Sequence, residues 1–253
     1  MLRLLLQTTI EGDPDDWNIA RFSFLTSFLS QLKDAQGRPA FLVTARNRTL
    51  RGRPDPVLST LHLSDFDQLW LFAVDVGDGL TAEDCGAISR FRRLGGGLMV
   101  TRDHMDLGSS ICNLGGVGAA HHFHSRHCEP DASRHCVDNP QSPGISWPNY
   151  HSGANGDFQR VRVVGDIHPV MRDAHSATGV IQYLPSHPHE GAVSAPPEDS
   201  SSRVIVEGQS VATGRRFNIA VAFERSQQGG PAIAQSTFHH FADYNWDANA
   251  GCP

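Results

Sequence analysis

At 253 residues and 39% hydrophobic content, the chain is long enough for one large α/β domain or two small ones. Its formal charge of −6, with no sustained run of Lys and Arg, excludes a nucleic-acid surface. No stretch approaches the roughly 18 consecutive apolar residues of a membrane helix.

The N-terminal sequence MLRLLLQTTIEGDPDD has a short apolar run but no signal-peptide cleavage site, so a soluble cytoplasmic setting is expected. Leu2 to Thr9 reads as a buried strand, and the polar turn Glu11-Gly12-Asp13-Pro14 follows. Asp15 or Asp16 caps a helix whose apolar residues Ile19, Phe22, Leu25, Phe28, Leu29 and Leu32 share one face. Phe41 to Thr44 is a second strand, and the arginine-bearing segment from Arg46 to Pro56 is a loop. Phe66 to Val74 is a third strand, ending in the turn Asp75-Val76-Gly77-Asp78-Gly79. Thr81 opens a helix through Leu94 with Cys85, Ile88, Phe91 and Leu94 on one side, which makes Cys85 a core residue. Gly95 to Gly97 stop that helix, and Leu98 to Thr101 form the fourth strand. Near-continuous apolar strands alternating with helices predict a mostly parallel sheet covered on both faces.

From about 108 to 160 the pattern breaks into a loop-rich insertion holding Cys112, Cys128 and Cys136. Beyond it, Arg160 to Val164, Gly179 to Leu184, Arg203 to Glu207, Phe217 to Phe223 and Ala232 to Thr237 read as strands, and Ala192 to Ser202 as an exposed loop. There is no internal repeat, so residues 1–253 are expected to form one domain carrying that insertion. Five cysteines, an odd number, do not form a disulfide framework.

Ligands of open parallel sheets bind beyond the carboxyl ends of the strands. The polar residues expected there are Glu11, Asp13, Asp75, Asp78, Asp103, His104, Asp106, His239, His240 and Asp243. In Asp103-His104-Met105-Asp106 a carboxylate can orient an imidazole, as a general base or a metal ligand requires; the plain alternative is a turn capped by Asp103. His187-Pro188-His189-Glu190 places two rings on one side of an extended chain and offers a nitrogen and oxygen set for zinc or another divalent ion, the alternative being a solvated loop. His239 and His240 follow the last strand among aromatics, one expected to face a site and the other to be structural. These patterns nominate Asp103, His104 and His239 for catalysis. They nominate Asp13, Asp75, Asp106 and Asp243 for substrate contact, and His104, His187, His189, Glu190 and His240 for a metal.

The fourteen histidines, against 21 Lys plus Arg, are densest in HHFHSRHCEPDASRHC, His121 to Cys136. That run lacks zinc-finger spacing and reads as a structural metal site, or equally as a mobile lid or subunit contact; a Cys128–Cys136 disulfide is disfavoured in a reducing cytoplasm. Gly115-Gly116-Val117-Gly118 lacks the Lys-Ser/Thr ending of a phosphate loop, and no Gly-x-Ser-x-Gly elbow is present.

The segments FRRLGGGLMVTRDHMD, IHPVMRD (Ile167 to Asp173) and FNIAVAFERSQQGGPAIAQSTFHHFADYNW resemble the trehalose-utilisation (ThuA-like) family of the class I glutamine amidotransferase-like superfamily. The resemblance implies a flavodoxin-like three-layer α/β sandwich with a mostly parallel central sheet, here carrying a long His/Cys-rich insertion. Glutaminase members of that superfamily hold a cysteine after the fourth strand, where this sequence has Arg102-Asp103-His104, so glutamine hydrolysis is not expected.

The leading expectation is a metal-dependent, zinc-type hydrolase or related enzyme acting on a small polar metabolite. One alternative is a metal-free ThuA-like enzyme of carbohydrate metabolism using Asp/His acid–base chemistry. Another is a noncatalytic ligand-sensing or assembly protein. A small-molecule substrate is the expected partner, homo-oligomerisation is left open, and no nucleic acid or membrane is expected.

Overall fold

The apolar run of β1 (Leu2–Thr8) is continuous because both of its faces are covered. Leu4 and Leu6 enter one cluster with Phe22, Leu25 and Leu29, whereas Leu5 enters the opposite one with Leu69, Leu71, Ile88 and Phe91. The computed structural model describes residues 1–135, 138, 142 and 144–251. Cys136 and Cys252 lie outside them, and with Cys136 the pairing considered for Cys128.

After β1 come β2 (Phe41–Arg46), β3 (Gln68–Phe72), β4 (Gly97–Thr101), β5 (Arg162–Val163), β6 (Ser202–Gln209), β7 (Arg216–Phe223) and β8 (Ala232–Gln235). They form one eight-stranded sheet in the order β2-β1-β3-β4-β8-β7-β6-β5. The five strands from β2 to β8 in that order pair in parallel, and the rest pair antiparallel. The pairings of β7 with β6 and β8 are antiparallel because their connections, Ser210 to Arg215 and Glu224 to Pro231, are too brief for a parallel crossover.

Helix α1 (Ser23–Gln31) buries Leu25 and Leu29 on one face of the sheet, after a short 3-10 turn, Ile19–Phe22, at the start of the expected helix. Helix α2 (Ala82–Arg93) covers the other face through Cys85, Ile88 and Phe91. Its start is a capping box: Thr81 Oγ1 accepts from the Asp84 amide, and Asp84 accepts from the Thr81 amide. Asp84 also pairs with the fully buried Arg48 at 2.9 Å, so the cap fixes the loop after β2 as well. Cys85 is a core residue as expected, and burial pushes its thiol up to about 12.

Two readings of the second half change. Of the strand expected over Gly179 to Leu184, Tyr183–Pro185 pairs with Phe158–Arg160 in a separate two-stranded ribbon. The segment read as an exposed loop from Ala192 begins with a buried pair, Ala192–Val193, bonded to His121–His122 in a second ribbon. Two small apolar residues between a glycine and a Pro/Ser-rich stretch carry too little pattern to announce a strand. The insertion is not structureless either. Its 3-10 turns Ser109–Asn113 and Val117–Ala120 bury Ile111 and Val117 against the α2 side of the sheet.

Register brings the candidate site together. Thr8 lies beside Phe72, Phe72 beside Thr101 and Thr101 beside Gln235. The chain segments leaving β1, β3, β4 and β8 therefore emerge at one edge.

Candidate metal centre

After β4 the chain passes through Arg102 and Asp103, both fully buried. The Arg102 guanidinium donates to the carbonyls of His122 and Met105 and sits 4.2 Å from the Phe123 ring centroid. It pins the turn from beneath, where burial lowers its own pKa to about 9. Met105 takes the left-handed conformation at φ 46°, held by its amide donating to Pro148 O at 2.8 Å.

Asp103 is the hub. Its Oδ1 accepts from Thr237 Oγ1 at 2.9 Å, and its Oδ2 accepts from His104 Nδ1 at 2.6 Å. His239 Nε2 stands 3.2 Å from Oδ2, and His187 Nδ1 3.8 Å from Oδ1. The His187 and His239 rings stack at 3.4 Å with 13° between their planes. His189 lies beyond, its ring 5.1 Å from that of His104.

The hydrogen bonds assign two of the rings. His189 Nδ1–H donates to Asn149 Oδ1 at 2.9 Å and His104 Nδ1–H donates to Asp103, so both keep Nε2 as a lone-pair nitrogen. His187 Nδ1 lies 2.6 Å from His189 O and 3.1 Å from the His189 amide nitrogen, so both groups of His189 face it. His239 Nδ1 meets Tyr244 Oη at 2.8 Å, and Trp17 packs edge-on against the same ring at 4.6 Å.

Burial lowers His187 well below its ordinary value and also lowers His239 and, to about 4, His189. Burial disfavours the Asp103 carboxylate, but facing His239 and His104 and the hydrogen bonds from them hold it well below the usual range. The centre thus combines an ionised carboxylate with neutral imidazoles, the protonation state that metal ligands need. Asp103, His187 and His239 each offer a ligand atom, all within 4.8 Å of one another, and this set could hold a metal ion. Outer partners are in place too: the His189 carbonyl behind His187, Tyr244 behind His239 and Thr237 behind Asp103.

The residues nominated from sequence divide. Asp103, His104, His187, His189 and His239 come together. Glu190 and His240, nominated as ligands, instead form a neighbouring buried network. Glu190 accepts from Ser152 Oγ, from Gln159 Nε2 at 2.6 Å and from Ser236 Oγ at 2.9 Å, with His240 Nε2 at 3.6 Å. The pair His239–His240 sits in a 3-10 turn, so the two rings diverge, and His239 is the one that reaches Asp103.

The four aspartates nominated for substrate contact each accept hydrogen bonds from other parts of the chain or from their own turn. Asp243 caps α1, accepting from the Ser23 and Phe24 amides at 3.0 and 2.9 Å. Asp75 accepts from Gly77 N and from Ser110 N and Oγ. Asp106 accepts from Ser125 N and Oγ, and exposed Asp13 accepts from Asp15 N. Cys112 lies in the turn Ser109–Asn113, packed on the α2-side cluster, so no cysteine occupies the turn after β4. Thr237, Tyr244 and Asn149 were not legible as site residues. Only Thr237, just before the two histidines, had a positional signal.

Neither a protein-family model nor a curated protein matches the sequence. Solved structures do. A ThuA-like protein of Bacteroides uniformis aligns over 97% of this chain and 84% of its own, at 11% identity and a TM-score of 0.51. The fold is ThuA-like. The cytoplasmic protein STM1381 of Salmonella typhimurium LT2 aligns over 98% of this chain and 95% of its own, at 10% identity and 0.53. The N-terminal domain of mmIFT52 covers 96% of this chain and 90% of its own, at 12% identity and 0.50. Among the described residues, no helix of this ThuA-like fold is long and apolar enough to cross a membrane.

The buried rings predict an acid limit for the metal-free protein. Burial lowers His121 to about 3, with His187 depressed as well. As pH falls below about 6.5 the unfolded chain takes up protons on these rings and the folded chain does not, so stability present above that pH is lost toward pH 4. Each fully buried ring contributes a slope of up to about 1.4 kcal/mol per pH unit, and half-exposed His189 less. Urea midpoints between pH 7 and 4.5 will show the decline, and His121→Leu will reduce its slope by one proton. A pH-independent midpoint would refute the assignment.

Proposed function

We propose that the protein is a metal-dependent hydrolase for a small polar metabolite, with Asp103, His187 and His239 holding a zinc-type divalent cation. The observation that carries this reading is the joining, through one carboxylate, of two neutral buried imidazoles to an acid–base pair: Asp103 faces His187 and His239 and also fixes the His104 tautomer. The cation would supply a Lewis acid able to lower the pKa of a coordinated water toward neutrality. The His104 side chain is 20% exposed, against 4% for His187 and His239. Its bare Nε2 takes or returns a proton on the open side of the cluster, with Asp103 steadying the charge that forms. Thr237 and Tyr244 orient the buried groups and keep their polar ends satisfied.

Protein prepared without a histidine tag tests the reading through its metal content and its titration with Co²⁺. One equivalent of cation, with the absorption bands of low-symmetry nitrogen and oxygen coordination lost in His187→Ala, supports it. No binding to the wild-type protein sinks it. The metal-free reading has its own support, because the 2.6 Å Asp103–His104 contact is complete without an ion. It predicts that activity survives chelation and is lost in His104→Ala.

A further inference from the structure

A second histidine pair sits where the two-stranded ribbon of His121–His122 and Ala192–Val193 ends. Ser194 is held there by its amide donating to Ala120 O at 2.8 Å, and its Oγ lies 2.6 Å from His122 Nε2. His122 Nδ1–H donates to His127 O at 3.1 Å, which fixes the tautomer and leaves Nε2 as the acceptor of the serine proton. The group behind the base is held in an unusual way: His127 is one of two non-glycine residues in the left-handed region among the described residues, at φ 45°, and its ring stacks on His122 at 4.9 Å. Backbone strain of this kind persists where the surroundings over-determine a position, and it clusters at functional sites. Glu129 Oε2 lies 3.5 Å from His122 Nε2, placed to stabilise that ring once it is protonated, and 3.5 Å from Arg134 Nε. Ser194, His122, Glu129 and Arg134 line a cavity of about 330 Å³, at the small end of ligand pockets.

A hydroxyl within hydrogen-bond reach of an imidazole, itself oriented by a third group and facing a cavity, is the arrangement of an activated nucleophile. We propose that Ser194 and His122 form an acyl-transfer site for small esters, distinct from the Asp103 cluster and sharing none of its side chains. Ser194 Oγ attacks the ester carbonyl carbon as its proton passes to His122 Nε2. The carbon–oxygen bond to the alcohol then breaks, and the alcohol leaves with that proton. Water hydrolyses the acyl-serine through the same base, releasing a carboxylic acid and restoring Ser194. No metal and no redox partner takes part.

The test is covalent labelling of the full-length protein with a small dialkyl fluorophosphate, mapped by peptide mass spectrometry, together with turnover of p-nitrophenyl acetate in the presence of chelator. The expected result is one adduct per chain, on Ser194, absent in Ser194→Ala and formed about 100-fold more slowly in His122→Gln, whose amide keeps the contact but takes no proton. Folding of each variant is checked by its melting curve, but the wild-type adduct decides on its own. A folded wild-type protein that takes no label, or takes it elsewhere, overturns the proposal.

Discussion

Asp103→Asn is expected to weaken cation binding by at least about 100-fold, more than the loss of an outer partner costs at metal sites. The substitution preserves shape and removes charge. It also replaces one acceptor oxygen by an NH₂ group, in a place where Thr237 Oγ1 and His104 Nδ1–H both donate to the carboxylate. If the amide oxygen keeps Thr237, its nitrogen faces His104, and the His104 ring must move its proton to Nε2. The base is then blocked on the side that faces out. A carboxylate-to-amide change behind a catalytic histidine lowers turnover by about 10⁴-fold through this tautomer error in another enzyme class, and an effect of that order is expected for any activity of this centre. Two measurements check the argument: Zn²⁺ or Co²⁺ affinity, and the ¹⁵N shifts of the His104 ring, which report the tautomer directly. A folded Asp103→Asn variant that binds the cation as tightly as wild type would remove Asp103 from the ligand set.

Gly191→Ala is expected to cost about 3 kcal/mol, near the upper end for overpacking a well-filled site. A Cβ at Gly191 would lie 2.5 Å from Arg102 Cδ and 2.5 Å from the Asp103 carbonyl oxygen. The first atom belongs to a side chain already held at both ends, and the second to the backbone, so neither can rotate out of the way. Relief requires separating the turn after β4 from the segment entering Ala192–Val193, where the Gly191 amide donates to Ser236 O at 3.1 Å. The loss of stability should therefore come with weaker cation binding, because Asp103 and Arg102 move together. Gly115→Ala is the matched control: a Cβ there meets nothing within 4 Å, and the change should stay within about 0.5 kcal/mol. Denaturant midpoints with and without Zn²⁺ separate the two effects, and equal midpoints for the two variants would show that the close approach at Gly191 is not limiting.

The glycine-to-aspartate passage illustrates how far local pattern reaches. In GGGLMVTRDHMD, the helix stop, the strand from Gly97 to Thr101 and the polar turn beyond it are all legible, because apolar periodicity and glycine punctuation are properties of neighbouring residues. His187 and His189 were legible as a pair facing one way, and both approach the Asp103 cluster. The next step failed for a geometric reason. Glu190 and His240 are adjacent in sequence to residues of the centre, and adjacency places them on the other side of the chain, in a network with Gln159 and Ser236. Choosing His239 over His240 required the 3-10 turn after β8, which no periodicity announces.

The sequence by itself determined the alternating strands and helices of the first half, the core placement of Cys85, and a turn after the fourth strand that carries Asp103 and His104. These depend on short-range spacing and on which side chains must leave water. Only the tertiary structure decided that His187 and His239, remote from each other along the chain, stack at 3.4 Å beside Asp103, and that Asp75, Asp106 and Asp243 accept hydrogen bonds from Ser110, Ser125 and Ser23. Long-range pairing sets those partners: the register of β4 against β8 joins Asp103 to Thr237 and His239, and the contact of Gly191 with the turn beneath admits the His187 segment. A side chain's chemistry is written in its own residue, but the neighbours that set its protonation and its use are supplied by chain that lies far away in sequence.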